Sequence, residues 1–158
     1  MNNDFDKLRE LITRKLESTD ISTRSLASKV DISKLARLVI ASKEAGKNAY
    51  APYSNYQVGA AVLITDDEVI KGWNVENQEY SSTICAESAA IARLNPNQRG
   101  EVLAISIFAQ SHPSPCGSCR QRMVELGNDF LVIVADDKGE LELYSSKALL
   151  PDWQLNKE

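Results

Sequence analysis

The sequence predicts a single α/β domain in three layers, with a mixed five-stranded sheet between helices on both faces. The 158 residues are enough to bury one core and too few for two ordinary domains. Hydrophobic residues make up 43% and charged residues 25%, which is typical of a globular protein. The hydrophobic patterns follow the order helix, two strands, helix, strand, helix, two strands, helix.

The first part of the chain is predicted to be helical. Residues 4–17 place apolar side chains at helical spacing, which indicates an amphipathic helix. SLASKVDIS then predicts a short helix, and a long helix extends from Ser33 towards Tyr50. SLASKVDIS is also weakly similar to the start of a DNA-binding helix-turn-helix, but no basic cluster accompanies it. Packing on the domain or on a neighbouring subunit is therefore the preferred interpretation.

The rest of the chain alternates strands and helices. A hairpin that turns at Asp66 and Asp67 joins the first two predicted strands, and Gly59 in the first of them indicates a close backbone approach. The remaining predicted strands are VLAISIFAQ, FLVIVAD and the more exposed ELELY. The remaining predicted helices are residues 84–94, RQRMVELG with a stop at Gly127, and SSKALLP with a stop at Pro151.

Composition argues against several classes of protein. The net charge is −4 and the pI is about 5.1, whereas a nucleic-acid binder normally has a basic face. No apolar run reaches the roughly 20 residues of a membrane helix, and the amino end lacks a secretory pattern. Three cysteines do not suit a disulfide framework. We therefore expect a cytoplasmic protein that contacts neither membrane nor nucleic acid.

The three cysteines lie in a pattern typical of a metal site. Cys85 is followed two residues later by Glu87, and Cys116 and Cys119 form a Cys-x-x-Cys pair after a proline. This C-x-E … P-C-x-x-C order is that of the zinc deaminases, with cysteine replacing histidine. Both motifs fall at predicted helix starts, where the helix dipole favours thiolates. Three ligands would bind one Zn²⁺ per subunit and leave the fourth position open for catalysis.

Two other interpretations of these residues remain open. The Cys-x-x-Cys pair alone is also typical of a redox dithiol. Glu87, predicted to shuttle protons beside the metal, would also suit an ordinary first helical turn. Three thiolates around a dication leave one net negative charge, so a nearby donor or cation is needed. Arg120 is the nearest candidate in sequence for this charge compensation.

Taken together, these motifs resemble the cytidine deaminase family in its small, single-domain form. The matching segments are AYAPYSNYQVGAAVL, GWNVEN, ICAESAAI, SPCGSCRQ and ALLP, in the family's order and spacing. The resemblance implies a cytidine-deaminase-like fold and hydrolytic deamination of cytidine and 2′-deoxycytidine to the uridines, with release of ammonia, in pyrimidine salvage. It also implies a homotetramer with sites completed across subunits.

The resemblance also implies the substrate contacts. Asn74 and Glu76 would hold the sugar hydroxyls, since an amide and a carboxylate provide both donors and acceptors. Tyr56 occupies the position where relatives stack an aromatic ring on the base. The backbone N–H of Ala86 and the carbonyl of Ser114 would meet the edge of the pyrimidine.

The chain departs from the family pattern at three places. Ser88 stands where many members have the arginine that offsets the third thiolate. QEYSST replaces a more apolar loop before Cys85, which bears on the exact substrate. Residues 1–32 form a helical N-terminal extension, and residues 33–158 form the predicted catalytic domain. His112, the single histidine, is expected on a surface loop.

Two other functions compete with a nucleoside deaminase. One is deamination of another aminopyrimidine compound, such as the nucleoside antibiotic blasticidin S. The other is a structural zinc module that binds a partner through its N-terminal helices. The GWNVEN segment favours the plain nucleoside, because it is similar to the family's ribose-binding stretch.

Overall fold

A computed structural model of the protein describes residues 3–111 and 113–153. The helices are α1 (Asn3–Glu17), α2 (Ile21–Ala27), α3 (Ile32–Gly46), α4 (Ala86–Ile91) and α5 (Gly117–Val124). The strands are β1 (Val58–Ile64), β2 (Val69–Trp73), β3 (Val102–Ala109), β4 (Leu131–Asp136) and β5 (Leu141–Ser145). Within the described ranges, no helix is long and apolar enough to span a bilayer.

The five strands form one mixed sheet in the order β2-β1-β3-β4-β5. Only β3 and β4 pair in parallel, and the other pairs are antiparallel. A parallel pair needs a crossover connection, and α5 provides it. As a result, the chain leaves the carboxyl end of the central strand β3 and then enters α5.

Helices cover both faces of the sheet, which confirms the predicted three layers. Alternate residues of a strand point to opposite faces. Ala61 and Leu63 of β1 pack with α1, α2 and α3, whereas Val62 and Ile64 pack with α4 and α5. The central strands are buried on both faces, which explains their nearly continuous apolar sequences.

The N-terminal helices share the core of the domain. Ile12 of α1 and Leu26 of α2 are buried in the same cluster as α3 and the sheet. Asp20 caps α2 by accepting from the Thr23 N–H at 3.0 Å. The Arg24 guanidinium donates to the carbonyls of Leu16, Glu17 and Thr19, so it satisfies free carbonyl groups at the end of α1.

The predicted helix over SSKALLP is wrong, since Ser145 is the last residue of β5 and residues 146–151 follow it as turns and a bend. The carboxylate of Asp129 accepts hydrogen bonds from both the Ser146 hydroxyl and the Lys147 N–H. Downstream, the Leu149 carbonyl accepts from Arg120 at 3.1 Å. Hydrogen bonds to residues distant in sequence therefore hold this segment as turns.

Three predicted boundaries also differ. Residues 117–119 were expected in a loop, but α5 already begins at Gly117 because Cys116 acts as its N-cap. The helix over 84–94 is shorter, since α4 ends at Ile91. The long third helix ends at Gly46, where the following chain turns to bond Tyr50 N–H to the carbonyl of Asn74. Gly127, predicted as a stop, has a φ of 95° two residues after the cap of α5.

Two glycines allow helices to approach the sheet closely. A Cβ at Gly59 would lie 1.9 Å from the Ser42 carbonyl oxygen of α3, which confirms the predicted close approach. On the other face, a Cβ at Gly72 would lie 2.4 Å from the Ala86 carbonyl oxygen. Gly72 therefore fixes how closely β2 approaches α4, the helix that begins beside Cys85.

Candidate active site

The three cysteines meet where α4 and α5 begin. Cys85 is the N-cap residue of α4, Cys116 is the N-cap residue of α5, and Cys119 lies in the first turn of α5. Their sulfurs all lie within 4.8 Å of one another, and the Cys85 and Cys116 sulfurs are 3.8 Å apart. Tetrahedral zinc with Zn–S bonds of about 2.3 Å places its ligands about 3.8 Å apart. The donor set and its spacing therefore fit Zn²⁺.

The protein environment treats the sulfurs differently. A hydrogen bond shared with Cys85, together with burial, raises the pKa of the Cys119 thiol. The same hydrogen bond lowers the pKa of Cys85, which accepts it. Cys119 is 0% exposed, whereas Cys116 is exposed and Cys85 is half-buried. Metal binding must displace the protons from this cluster, since thiolates are the zinc ligands.

Glu87 lies beside the cluster. It is the second residue of α4, is only 4% exposed, and lines the same cavity as Cys85 and Cys116. Burial raises the pKa of its carboxyl group, and a hydrogen bond with the backbone of Glu87 itself opposes that shift. A carboxyl group with a raised pKa next to a metal site is suited to accepting and returning a proton.

A cavity of about 540 Å³ opens in front of the cluster. This volume lies within the usual range for small-molecule sites. Every predicted site residue except Cys119 and Arg120 lines it. The further lining residues, which the sequence did not predict, are Ser54, Val58, Tyr80, Thr83, Ile107 and Pro113. They come from segments far apart in sequence, and of these six only Ser54 and Val58 lie in one of the family-like segments, AYAPYSNYQVGAAVL.

Asn74 and Glu76 line the same cavity as Cys85 and Cys116 and are fixed by the turn that precedes β1. The Asn74 side chain accepts from the Val58 N–H at 2.8 Å and donates to the Tyr56 carbonyl at 2.9 Å. Each end of an amide can make two hydrogen bonds, so one position at each end is left for a ligand.

Glu76 is held by the same turn. Its carboxylate accepts from the Tyr53 N–H at 2.9 Å, from the Ser54 N–H at 3.2 Å, and from the Ser54 hydroxyl. The Ser54 hydroxyl is the main reason that the pKa of Glu76 lies below its usual value. Glu76 therefore presents a fixed negative charge to the cavity, and Ser54 is a site residue that sequence reasoning missed.

The three remaining predicted contacts also lie on the cavity. The Tyr56 hydroxyl donates to the Ser111 carbonyl, and burial raises the pKa of this phenol. Ala86 is the first residue of α4, a position whose N–H has no partner within the helix. Ser114 lies in the segment before Cys116, and its hydroxyl accepts from Arg120 at 3.1 Å.

Arg120, the predicted charge compensator, contacts the loop around the cluster. Its guanidinium donates to the Pro115 carbonyl at 2.8 Å, to the Leu149 carbonyl at 3.1 Å, and to the Ser114 hydroxyl. These bonds brace the segment that carries Cys116. Its effect on the cluster's charge stays a prediction, and His112 lies outside the described residues.

The fold and this site define a class of protein: a three-layer α/β metalloenzyme with a thiolate metal centre at the base of an open cavity. Residues 32–135 match the family described as "Cytidine and deoxycytidylate deaminase zinc-binding region". The chain belongs to this family.

Individual relatives agree with the family match. The chain is 40% identical to a cytidine deaminase of Halalkalibacterium halodurans over 68% of this chain and 84% of the relative. It is 43% identical to a cytidine deaminase of Mycobacterium tuberculosis over 57% of this chain and 69% of the relative. Among solved structures, the cytidine deaminase from Burkholderia pseudomallei is similar with a TM-score of 0.68 and 40% identity, over 73% of this chain and 95% of that one.

Proposed function

We propose that this protein is a zinc-dependent cytidine deaminase, which hydrolyses cytidine to uridine and releases ammonia. The observation that carries the proposal is that three cysteine sulfurs and the buried carboxyl group of Glu87 meet at one cavity. Family membership and the cytidine deaminases named above support the same activity. We extend the proposal to 2′-deoxycytidine as a second substrate.

The mechanism follows from the positions of the side chains. Cys85, Cys116 and Cys119 would hold the zinc, which would supply a Lewis acid that lowers the pKa of the attacking water. Glu87 takes the proton of the attacking water and delivers it to the ring nitrogen beside the attacked carbon. Glu87 then takes the second proton, from the hydroxyl group added to that carbon, and delivers it to the amino group, which leaves as ammonia when the carbon–nitrogen bond breaks. Its burial keeps these transfers short and away from solvent.

In this proposal, the part of the cavity that carries Asn74 and Glu76 binds the sugar. The remaining hydrogen-bonding positions of Asn74 and the fixed carboxylate of Glu76 hold the ribose hydroxyls. Tyr56 packs against the base, while the Ala86 N–H and the Ser114 carbonyl read its edge. Their common location on one cavity supports these roles.

The test is the fall in ultraviolet absorbance when the zinc-loaded protein meets cytidine. Glu87→Gln should keep one zinc per chain and lose about 10²–10⁴-fold in kcat, the contribution typical of general acid–base catalysis. Glu10→Gln, the same substitution at an exposed position outside the cavity, serves as the control. Unchanged turnover by Glu87→Gln would contradict the proposal and favour a structural zinc module.

The relatives reported above are cytidine deaminases, which does not favour an antibiotic nucleoside as the substrate. Steady-state rates for cytidine, 2′-deoxycytidine and blasticidin S decide between the two. Turnover of the antibiotic without turnover of cytidine would overturn our assignment.

We further propose that the enzyme acts in the cytoplasm in pyrimidine salvage, as a homotetramer. Three free thiols suit a reducing compartment. Four large apolar side chains are exposed in the single chain, which supports an interface there: Tyr80, which lines the cavity, and Tyr50, Tyr53 and Ile84, which lie on segments bonded to Val75 and Glu76. Sedimentation equilibrium measures the oligomeric state. The division into an extension (1–32) and a catalytic domain (33–158) is also proposed, supported by a family match that begins at residue 32.

A further inference from the structure

A centre of three thiolates and one zinc ion carries a net negative charge that the surrounding protein has to stabilise. Three thiolates and one dication leave a net charge of −1, and a buried charge is costly without a donor or an opposite charge. Among the residues that the structure describes, no lysine or arginine donates to a cysteine sulfur. The guanidinium of Arg120 is directed to two carbonyls and the Ser114 hydroxyl instead.

The sulfurs differ in their access to other donors. Cys116 is exposed, so water reaches it, and it also accepts from the Cys119 N–H at 3.4 Å. Cys85 is half-buried and therefore also partly open to solvent. Cys119 is 0% exposed and depends on the protein for any hydrogen bond. The need for a protein donor is therefore greatest at this sulfur.

Ser88 lies where it can meet that need. Its hydroxyl oxygen is 3.4 Å from the Cys119 sulfur, and the side chain is 9% exposed. Helical serines commonly bond back to a carbonyl of the preceding turn. Within the described part of the chain, the bond found for the Ser88 hydroxyl runs instead to the sulfur on the neighbouring helix.

We infer that Ser88 is a positioning residue, which donates its hydroxyl hydrogen to the Cys119 thiolate and offsets part of the centre's negative charge. This inference rests on the proposed zinc centre. In the metal-free protein either partner could donate. A metal-bound thiolate has no proton, so the bond then has only one direction, from Ser88 to sulfur. The hydroxyl draws electron density from the sulfur and leaves the metal a stronger Lewis acid.

The test compares three variants with the wild type in the full chain. Ser88→Ala removes the donor, Ser88→Thr keeps a hydroxyl, and Ser106→Ala is the matched control. Ser106 is likewise a buried, hydrogen-bonded serine, but its partner is Ser42 Oγ at 2.9 Å, on the other face of the sheet from the cysteines. Zinc affinity is measured by chelator competition, and the sulfur-to-metal charge-transfer band is measured with Co²⁺ in place of zinc.

Ser88→Ala should weaken zinc binding by about 10–100-fold, the usual effect of losing a partner of a metal ligand. It should also move the Co²⁺ band to longer wavelength, because the sulfur becomes a better electron donor. Ser88→Thr should restore both values, and Ser106→Ala should change neither.

An unchanged affinity or an unmoved band in Ser88→Ala would overturn the inference. Equal losses in Ser88→Ala and Ser106→Ala would also overturn it, since they would reflect general destabilisation. Measurements on the wild-type protein distinguish a failure of this inference from a failure of the proposed function. If it binds zinc but leaves cytidine unchanged, the deaminase proposal fails while the role of Ser88 is still decided by the variants. If it binds neither metal, both fail.

Discussion

The two ends of the cavity are built in different ways. At the metal end, Cys85, Cys116 and Cys119 lie at the starts of α4 and α5, where sequence motifs place them. At the sugar end, Asn74 and Glu76 are fixed by hydrogen bonds to the backbone of the turn before β1. One end therefore depends on residue type and spacing, and the other depends on a tertiary contact between separate segments. In the proposed enzyme, the first supplies chemistry and the second supplies affinity.

The largest effect should come from losing a metal ligand. Cys116→Ala leaves two thiols, too few for a stable zinc site with an open position. We expect loss of stoichiometric zinc and turnover at the background rate, measured by metal analysis and the absorbance assay. Because Cys116 is exposed, the fold should persist, as far-ultraviolet circular dichroism would show. Full activity in this variant would show that turnover does not depend on a three-cysteine metal site.

At the sugar end, Glu76→Gln should raise KM for cytidine and change kcat little. Hydrogen bonds to charged groups contribute about 1.5–3 kcal/mol, which corresponds to about 10–100-fold in KM. The inhibition constant of cytosine, which lacks the sugar, should not change and serves as the control. If kcat fell by this factor instead and KM stayed unchanged, Glu76 would act in the chemical step, and binding and chemistry would not be separated between the two ends.

A third prediction uses one substitution on both faces of the sheet. Gly72→Ala and Gly59→Ala both force a Cβ into helix backbone, and we expect each to lower the free energy of unfolding by about 1–3 kcal/mol. Only Gly72 contacts α4, so only Gly72→Ala should also weaken zinc binding. Gly100→Ala is the control, since its added Cβ meets nothing within 4 Å. Thermal unfolding and chelator competition provide both readouts, and equal zinc affinities in the two strained variants would contradict the prediction.

The smallest effect is expected for Ser54→Ala. It removes the hydroxyl that donates to Glu76, but the Tyr53 and Ser54 N–H groups still hold the carboxylate. A net loss of about 0.5–1.5 kcal/mol predicts a rise of about 2–10-fold in KM for cytidine. Thr65→Ala, which removes a hydroxyl bonded to the exposed Glu101 outside the cavity, should leave KM unchanged. A larger effect than that of Glu76→Gln would mean that Ser54 contacts the substrate directly.

The sequence predictions were correct where a local residue pattern decides the structure, and they failed where contacts between distant residues decide it. The strands were predictable because their apolar runs are continuous and bounded by turn residues. The ligands were predictable because the spacing of Cys116 and Cys119 brings both sulfurs to one helix start. The helix predicted over SSKALLP failed because hydrogen bonds to Asp129 and Arg120, distant in sequence, hold this segment as turns. Local periodicity carries no information on such partners.

Cys85, Cys116, Cys119 and Glu87 identify the metal site from sequence alone, because each lies in a local motif whose chemistry depends on residue type. The sequence also determined the alternation of helices and strands, through the period of its apolar residues. Only the tertiary structure decided that β3 and β4 pair in parallel, that Ser54 holds Glu76, and that Ser88 reaches Cys119. These contacts join segments through space, and their formation depends on how the helices pack against the sheet.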